Sequence, residues 1–269
     1  MSGRYKEMFE NLKKNGRGAF IPFVTLGDPD ASVSARIIET LAANGADALE
    51  LGIPFSDPVA DGPVIQTASN RALSNGITPD DCFEIIRGAR KKHAEIPIGL
   101  LVYANLVIGR GADYFYKRAA ESGVDSVLIA DAPTLAAPIF AKYASDSGID
   151  SVYIAPPNAD EAKLREIAGL TKGYTYFLGR AGVTGADREM SAPISSRIEL
   201  LKSAGAPPVV VGFGISRPEH VRAALASGAD GAISGSATVS IIEKCLGDEK
   251  KMHEDLALFV RGMAAATKK

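Results

Sequence analysis

Asn44-Gly45-Ala46-Asp47 runs directly into Ala48-Leu49-Glu50-Leu51-Gly52, a polar turn followed by an apolar run that a single acid interrupts. The turn recurs as Ser122-Gly123-Val124-Asp125, Ser147-Gly148-Ile149-Asp150 and Ser227-Gly228-Ala229-Asp230. Glycine reaches the left-handed conformation that stops a helix, and an apolar run follows each copy within two or three residues. Four copies of one helix-to-strand turn predict repeated βα units packed in a common way.

Working outward, eight short apolar runs read as strands: Ala19–Thr25, Ala48–Gly52, Ile98–Tyr103, Ser126–Ala130, Ser151–Ile154, Tyr174–Leu178, Val209–Gly212 and Gly231–Ser234. Most are continuously apolar, as parallel strands covered on both faces require. The stretches between them carry helical periodicity, with Val33, Ile37 and Leu41 on one stripe and Leu256, Phe259, Val260 and Met263 on another. Thr78-Pro79-Asp80-Asp81 and Ser216-Arg217-Pro218-Glu219 read as helix starts, the second with capping-box spacing. Eight strands in 269 residues fit a closed α/β barrel, the (β/α)8 or TIM architecture, better than a doubly wound sheet. No linker or low-complexity tract divides residues 1–269, so one domain is expected, with an extra N-terminal helix over the amphipathic first fifteen residues.

Composition excludes several classes. The 30 basic and 32 acidic side chains leave a net charge of −2 and no basic run suited to nucleic acid. No apolar stretch is long enough to span a membrane and none resembles a secretory leader, so a reduced, cytoplasmic protein is expected. Cys82 and Cys245 match no metal-ligand spacing, and His93, His220 and His253 lie in helix-like stretches; no metal site is expected.

Reacting groups of such a barrel sit at the carboxyl ends of its strands. Glu50 stands there, and an ionised group on an apolar strand is either paired with a cation or used. No strand candidate carries a central Lys or Arg. Burial should raise its pKa, which suits a group that gives and takes a proton near neutrality. Asp61 closes the following loop, where Asp-Gly-Pro serves equally well as a turn and helix start. Three glycine-rich turns follow strands six to eight: Ala181-Gly182-Val183-Thr184-Gly185, Gly212-Phe213-Gly214-Ile215-Ser216 and Ser234-Gly235-Ser236. Together they suggest a phosphate cradle of backbone N–H groups at a helix N-terminus. The stretch from Arg180 to Ser191, with Thr184 in it, carries glycines and charges without a helical stripe, and a lid over the substrate is expected there.

Leu49-Glu50-Leu51-Gly52-Ile53-Pro54-Phe55-Ser56-Asp57-Pro58, followed by Ala60-Asp61-Gly62-Pro63, resembles the signature of the tryptophan synthase α-subunit family. The resemblance runs through nearly the whole chain, including Pro22-Phe23-Val24-Thr25-Leu26-Gly27-Asp28-Pro29, Tyr103-Ala104-Asn105 and Arg180-Ala181-Gly182-Val183-Thr184-Gly185. It implies cofactor-free cleavage of indole-3-glycerol phosphate to indole and glyceraldehyde 3-phosphate, with Glu50 and Asp61 as the catalytic carboxylates. It further implies a phosphate site at Gly185, Gly214, Gly235 and Ser236, and an indole pocket of Phe23, Tyr103, Tyr176 and Ile233. Gly179 stands where the family carries a serine-like residue, and Ala132-Pro133-Thr134-Leu135 lacks the acids common after Asp131. A ring-closing synthase of the same barrel class would bring a catalytic lysine on a strand, and none is present. The resemblance also implies an α2β2 heterotetramer with a β subunit that holds pyridoxal phosphate. A partner docked on the loop from Pro54 to Ala60 would fix the two carboxylates relative to each other, and Asp57 is the residue expected to carry that coupling.

Overall fold

A computed structural model describes residues 3–179 and 194–268. Nine parallel strands form one sheet: β1 (Ala19–Thr25), β2 (Leu49–Gly52), β3 (Ile98–Val102), β4 (Ser126–Ile129), β5 (Asp150–Val152), β6 (Ile154–Ala155), β7 (Thr175–Leu178), β8 (Val209–Gly212) and β9 (Gly231–Ser234). Their order is β5-β4-β3-β2-β1-β9-β8-β7-β6. β5 and β6 are one stave of a barrel, separated only by Tyr153, so the two ends of the sheet are joined covalently. The fifth expected strand, Ser151–Ile154, is therefore two strands. Its first half pairs with β4 and its second with β7. The N–H of Lys172 donates to Ser151 and that of Tyr176 to Tyr153, which ties the seam from the other side. The other expected strands are present to within a residue at either end, and helices fill the intervals between them.

The strands alternate between two apolar layers. Ile21, Phe23, Tyr176, Val210 and Ile233 point into the barrel, while Phe20, Leu49, Leu51, Phe177 and Val211 pack under the helices. Both faces are covered, which is why the runs read as continuously apolar. The N-terminal helix Gly3–Lys14 closes one end with Tyr5, Phe9 and Leu12 in the interior layer. Of the expected stripe, Leu256, Val260 and Met263 are buried and Phe259 is partly buried against the core.

All four recurring turns place their glycine at positive φ: Gly45 at 107°, Gly123 at 88°, Gly148 at 70° and Gly228 at 96°. The aspartates two residues later do more than solvate a turn. Asp47, Asp125 and Asp230 each accept, at 2.9 Å, the backbone N–H at the start of a neighbouring strand, from Phe20, Ile98 and Val209 respectively. Arg17, Arg90 and Lys202 neutralise them in turn. These clamps sit at the amino ends of the strands, opposite the end where such barrels react.

The two expected helix caps diverge. Thr78 forms a reciprocal capping box with Asp81. Before the helix Pro218–Ala226 the cap is Arg217, without a side-chain cap bond, and Ser216 faces Nδ1 of His220 instead of Glu219. His220 lies within reach one turn into the helix and takes the hydroxyl that the spacing assigned to the box. Among the described residues, no helix is long and apolar enough to cross a membrane.

Candidate active site

At the carboxyl ends of the strands a cavity of about 560 Å³ opens, with Glu50 and Asp61 both on its wall. Glu50 comes from β2, where alternation turns Leu49 and Leu51 outward and leaves residue 50 inside the barrel. It is 2% exposed. Its partner is a neutral hydroxyl: Tyr174 donates to Oε1 at 2.8 Å. Burial raises the Glu50 pKa to about 7, although the Tyr174 hydrogen bond pulls the other way. Among the described residues no cation of the barrel wall pairs with Glu50.

Asp61 ends the loop after β2 and precedes the helix Pro63–Ser74. The N-cap of that helix is Gly62, with no side-chain cap bond, so Asp61 does not serve as the cap its sequence allowed. Burial raises its pKa to about 6, against a hydrogen bond from Tyr103 that lowers it. The Tyr103 hydroxyl also accepts the N–H of Ala60 at 3.1 Å, and its ring stacks on Phe55 with centroids 5.2 Å apart. Tyr103 was expected in the pocket wall. It stands behind Asp61 instead and is not among the lining residues, because its hydroxyl is committed to the loop.

Phe23, Tyr176 and Ile233 do line the cavity. Two strand-end glycines make room for the rings. A Cβ on Gly52 would lie 2.8 Å from the Phe23 ring, and one on Gly212 would lie 2.1 Å from the Tyr176 hydroxyl. The walls therefore combine the rings of Phe23 and Tyr176 with aliphatic side chains such as Ile233 and carry two carboxylates, a lining suited to a planar aromatic guest with one polar edge.

Gly214, Gly235 and Ser236 lie together at another part of the same cavity. Phe213 and Gly214 both take positive φ, 83° and 77°, a strained conformation for Phe213. Gly235 caps the helix Ser236–Lys244, whose first N–H groups have no acceptor within the helix. Among the described residues a Cβ on Gly235 would meet only Ile65 and Phe23, at 3.8 and 3.9 Å, so their packing does not require glycine there. The buried Ser234 hydroxyl donates to the carbonyl of Ile215 at 2.7 Å, while the Ser234 carbonyl accepts from Thr238, which joins the turn after β8 to the helix after β9. Such an edge, backbone donors at a helix start, fits a phosphate.

Gly185, Arg180, Thr184 and the rest of the expected lid lie outside the described residues. Asp57 is exposed on the loop after β2 and accepts a hydrogen bond from the hydroxyl of Ser56 at 2.6 Å. Gly179 is tightly placed, since a Cβ there would lie 3.2 Å from the carbonyl of Phe213. Among the described residues no group of three His, Cys, Asp or Glu side chains is placed to hold a metal ion. Sequence reasoning missed Tyr174, which had a legible signal, because it lies two residues before Tyr176 and so shares its face. Ser234 reads in sequence only as the first residue of the third glycine-rich turn; that its hydroxyl joins this turn to the one after β8 has no local signal.

Comparison with known proteins follows the same lines. The family model described as tryptophan synthase alpha chain matches residues 9–268. The tryptophan synthase alpha chain of Actinobacillus pleuropneumoniae serotype 5b is 56% identical over 266 residues, covering 98% of this chain and 99% of its own. That of Francisella tularensis subsp. tularensis is 52% identical over 267 residues, covering 99% of each. The crystal structure of tryptophan synthase subunit alpha from Legionella pneumophila str. Paris superposes with a TM-score of 0.87 at 31% identity, covering 99% of this chain and 98% of that one.

Proposed function

The chain belongs to the tryptophan synthase alpha chain family of tryptophan biosynthesis, and from that premise we propose that Glu50 and Asp61 cleave indole-3-glycerol phosphate by a reverse aldol reaction. Indole is the leaving group. A proton must reach ring carbon C3, which places positive charge on the ring nitrogen. The bond from C3 to the glycerol chain then breaks, its electron pair returns to the ring, and the adjacent carbon becomes the aldehyde as its hydroxyl loses a proton. Protonated Glu50 supplies the first proton and its carboxylate receives the second, so the group ends as it began. Asp61, as carboxylate, accepts the indole N–H and stabilises the transient charge. The apolar walls formed by the rings of Phe23 and Tyr176 and by aliphatic Ile233 hold the ring, and the turns at Gly214, Gly235 and Ser236 hold the phosphate and so orient the reacting carbon. Gly185, Arg180 and Thr184 would complete the phosphate site and the lid.

The observation that carries this reading is the pair of carboxylates on one cavity, raised to about 7 and about 6 by burial. One is then available as an acid while the other is charged near neutral pH. The direct test is turnover of indole-3-glycerol phosphate by the purified chain, with indole release measured; no release by the chain alone or with its partner would remove the proposal. This chain needs no cofactor of its own for these steps. The pyridoxal phosphate of the complex belongs to a β subunit that uses indole, and the α2β2 assembly works in the cytoplasm. What supports a partner on this edge is exposed apolar surface on successive segments after β2, β3 and β4, at Val59, Ile108, Leu135 and Ile139, with Val59 74% and Leu135 88% exposed. Asp57, beside Val59, is the coupling residue of that reading.

A further inference from the structure

Two helices start at the cavity and run away from it side by side. Pro63–Ser74 begins two residues after Asp61, and Ser236–Lys244 begins at Gly235. Near the cavity they meet through Ile65, whose Cδ1 is the atom nearest to a Cβ built on Gly235. At the far end they are held by one side chain. Arg71 donates from Nε and Nη2 to both oxygens of Asp28, at 2.8 and 3.0 Å, and from Nη1 to Glu243 at 3.2 Å. Asp28 is buried in the loop after β1, and that loop is tied again to the same helix end where Asn75 donates to the carbonyl of Pro29. Asp28 is the fixed anchor, being sealed in the interior; Glu243 is half-exposed and belongs to the second helix.

We infer that Arg71, forked onto Asp28 and reaching Glu243, is a positioning residue that sets the separation between Asp61 and the phosphate cradle. The inference rests on the assignments of Asp61 and of Gly235 and Ser236 proposed above. Its physical basis is leverage. Residue 71 lies eight residues from residue 63, so the lever is about 12 Å long at 1.5 Å per residue. A tilt of about 5° about the far end moves the near end by about 1 Å, a displacement able to reduce a rate about a hundredfold when it separates reacting groups. A substrate held at its phosphate end and reacting at its ring end is sensitive to this distance. A ligand that occupies only one end is not.

The test uses the full chain and three probes: indole, glycerol 3-phosphate, and an analogue in which a saturated three-carbon chain joins indole to phosphate. Glu243→Gln removes the charge on the second helix and leaves the Asp28 anchor untouched. Arg71→Lys keeps a cation beside Asp28 but cannot make the fork. The expected result is that indole and glycerol 3-phosphate bind both variants as they bind wild type, whereas the joined analogue binds about tenfold more weakly and kcat for cleavage falls by about the same factor. Unchanged binding of the joined analogue and unchanged kcat in both variants would overturn the inference. So would a uniform loss for all three probes together with a lower Tm, which would make Arg71 a structural residue only. If wild type binds none of the probes, the reading of the site itself fails, and that outcome is distinct from either.

Discussion

The hydroxyl of Tyr174 donates a 2.8 Å hydrogen bond to Oε1 of Glu50 deep inside the barrel. Among the described residues it is the contact that moves the Glu50 pKa against burial, toward the charged form. Tyr174 is itself packed on Tyr5 of the N-terminal helix, with ring centroids 5.4 Å apart, so its position is inherited from the plug of the barrel.

This contact predicts a pH dependence. With Asp61 required as carboxylate and Glu50 required as acid, kcat/KM should be bell-shaped, with an acid limb near 6 and an alkaline limb near 7. Tyr174→Phe removes the hydrogen bond that stabilises the Glu50 carboxylate, so the alkaline limb should move up while the acid limb stays. A pH profile of cleavage for both proteins checks this; an alkaline limb that stays in place would assign it to another group.

Glu50→Gln should lower kcat by about 10²–10⁴-fold, the usual contribution of a general acid-base group. The same substitution should change stability in a pH-dependent way. The folded Glu50 pKa lies above its unfolded value, so the native state holds the proton more tightly and wild type loses stability as pH rises from 4.5 to about 7. The loss is on the order of 3 kcal/mol, complete above that range and absent below it. Urea unfolding at pH 4.5 and pH 8 should show a steeper decline for wild type than for the variant. Parallel declines would mean that Glu50 is not buried as a titrating group.

Asp61→Asn should be severely impaired in cleavage with the fold intact, since Gly62 rather than Asp61 caps the helix that follows. Tyr103→Phe should be milder. It releases the N–H of Ala60 and raises the pKa of Asp61, which moves the acid limb to higher pH. Circular dichroism and the rate profile together decide the matter; loss of stability with retained turnover in Asp61→Asn would return that residue to a structural role.

Gly235→Ala probes the phosphate edge cleanly. With the described residues the added methyl makes only ordinary contacts and φ is −95°, so Tm should change little. The methyl nevertheless occupies the space in which phosphate oxygens would approach the helix start, and KM for the phosphorylated substrate should rise roughly tenfold or more while indole binding holds, as when charge-assisted backbone bonds are lost. Gly214→Val is a less clean companion, because its φ of 77° adds backbone strain to any local obstruction. Titration with glycerol 3-phosphate measures both, and unchanged affinity in Gly235→Ala would move the phosphate elsewhere.

The sequence by itself determined the barrel. Four glycine turns with one spacing, each now at positive φ, and continuously apolar runs between helical stripes left no other economical way to bury both faces of parallel strands. It also determined that Glu50 faces inward, since a period of two turns residue 50 away from Leu49 and Leu51. Only the tertiary structure decided what each acid meets. Asp47, Asp125 and Asp230 look like Asp61 in one dimension, turn acids within two residues of a glycine, yet the first three clamp strand starts at the closed end while Asp61 faces the cavity. Tyr103 and Tyr176 look equally fit for a pocket wall, and the fold sends the first behind Asp61 and the second over Gly212. The fifth stave divides at Tyr153, its first half pairing with β4 and its second with β7, a division that no local pattern encodes. Arg71 reads as an ordinary helix-end cation until Asp28 and Glu243, 43 and 172 residues away, are brought to it. Local periodicity and turn chemistry are written in neighbouring residues; the partner of a buried charge is chosen by contacts distant in the chain, and only the closed barrel brings those together.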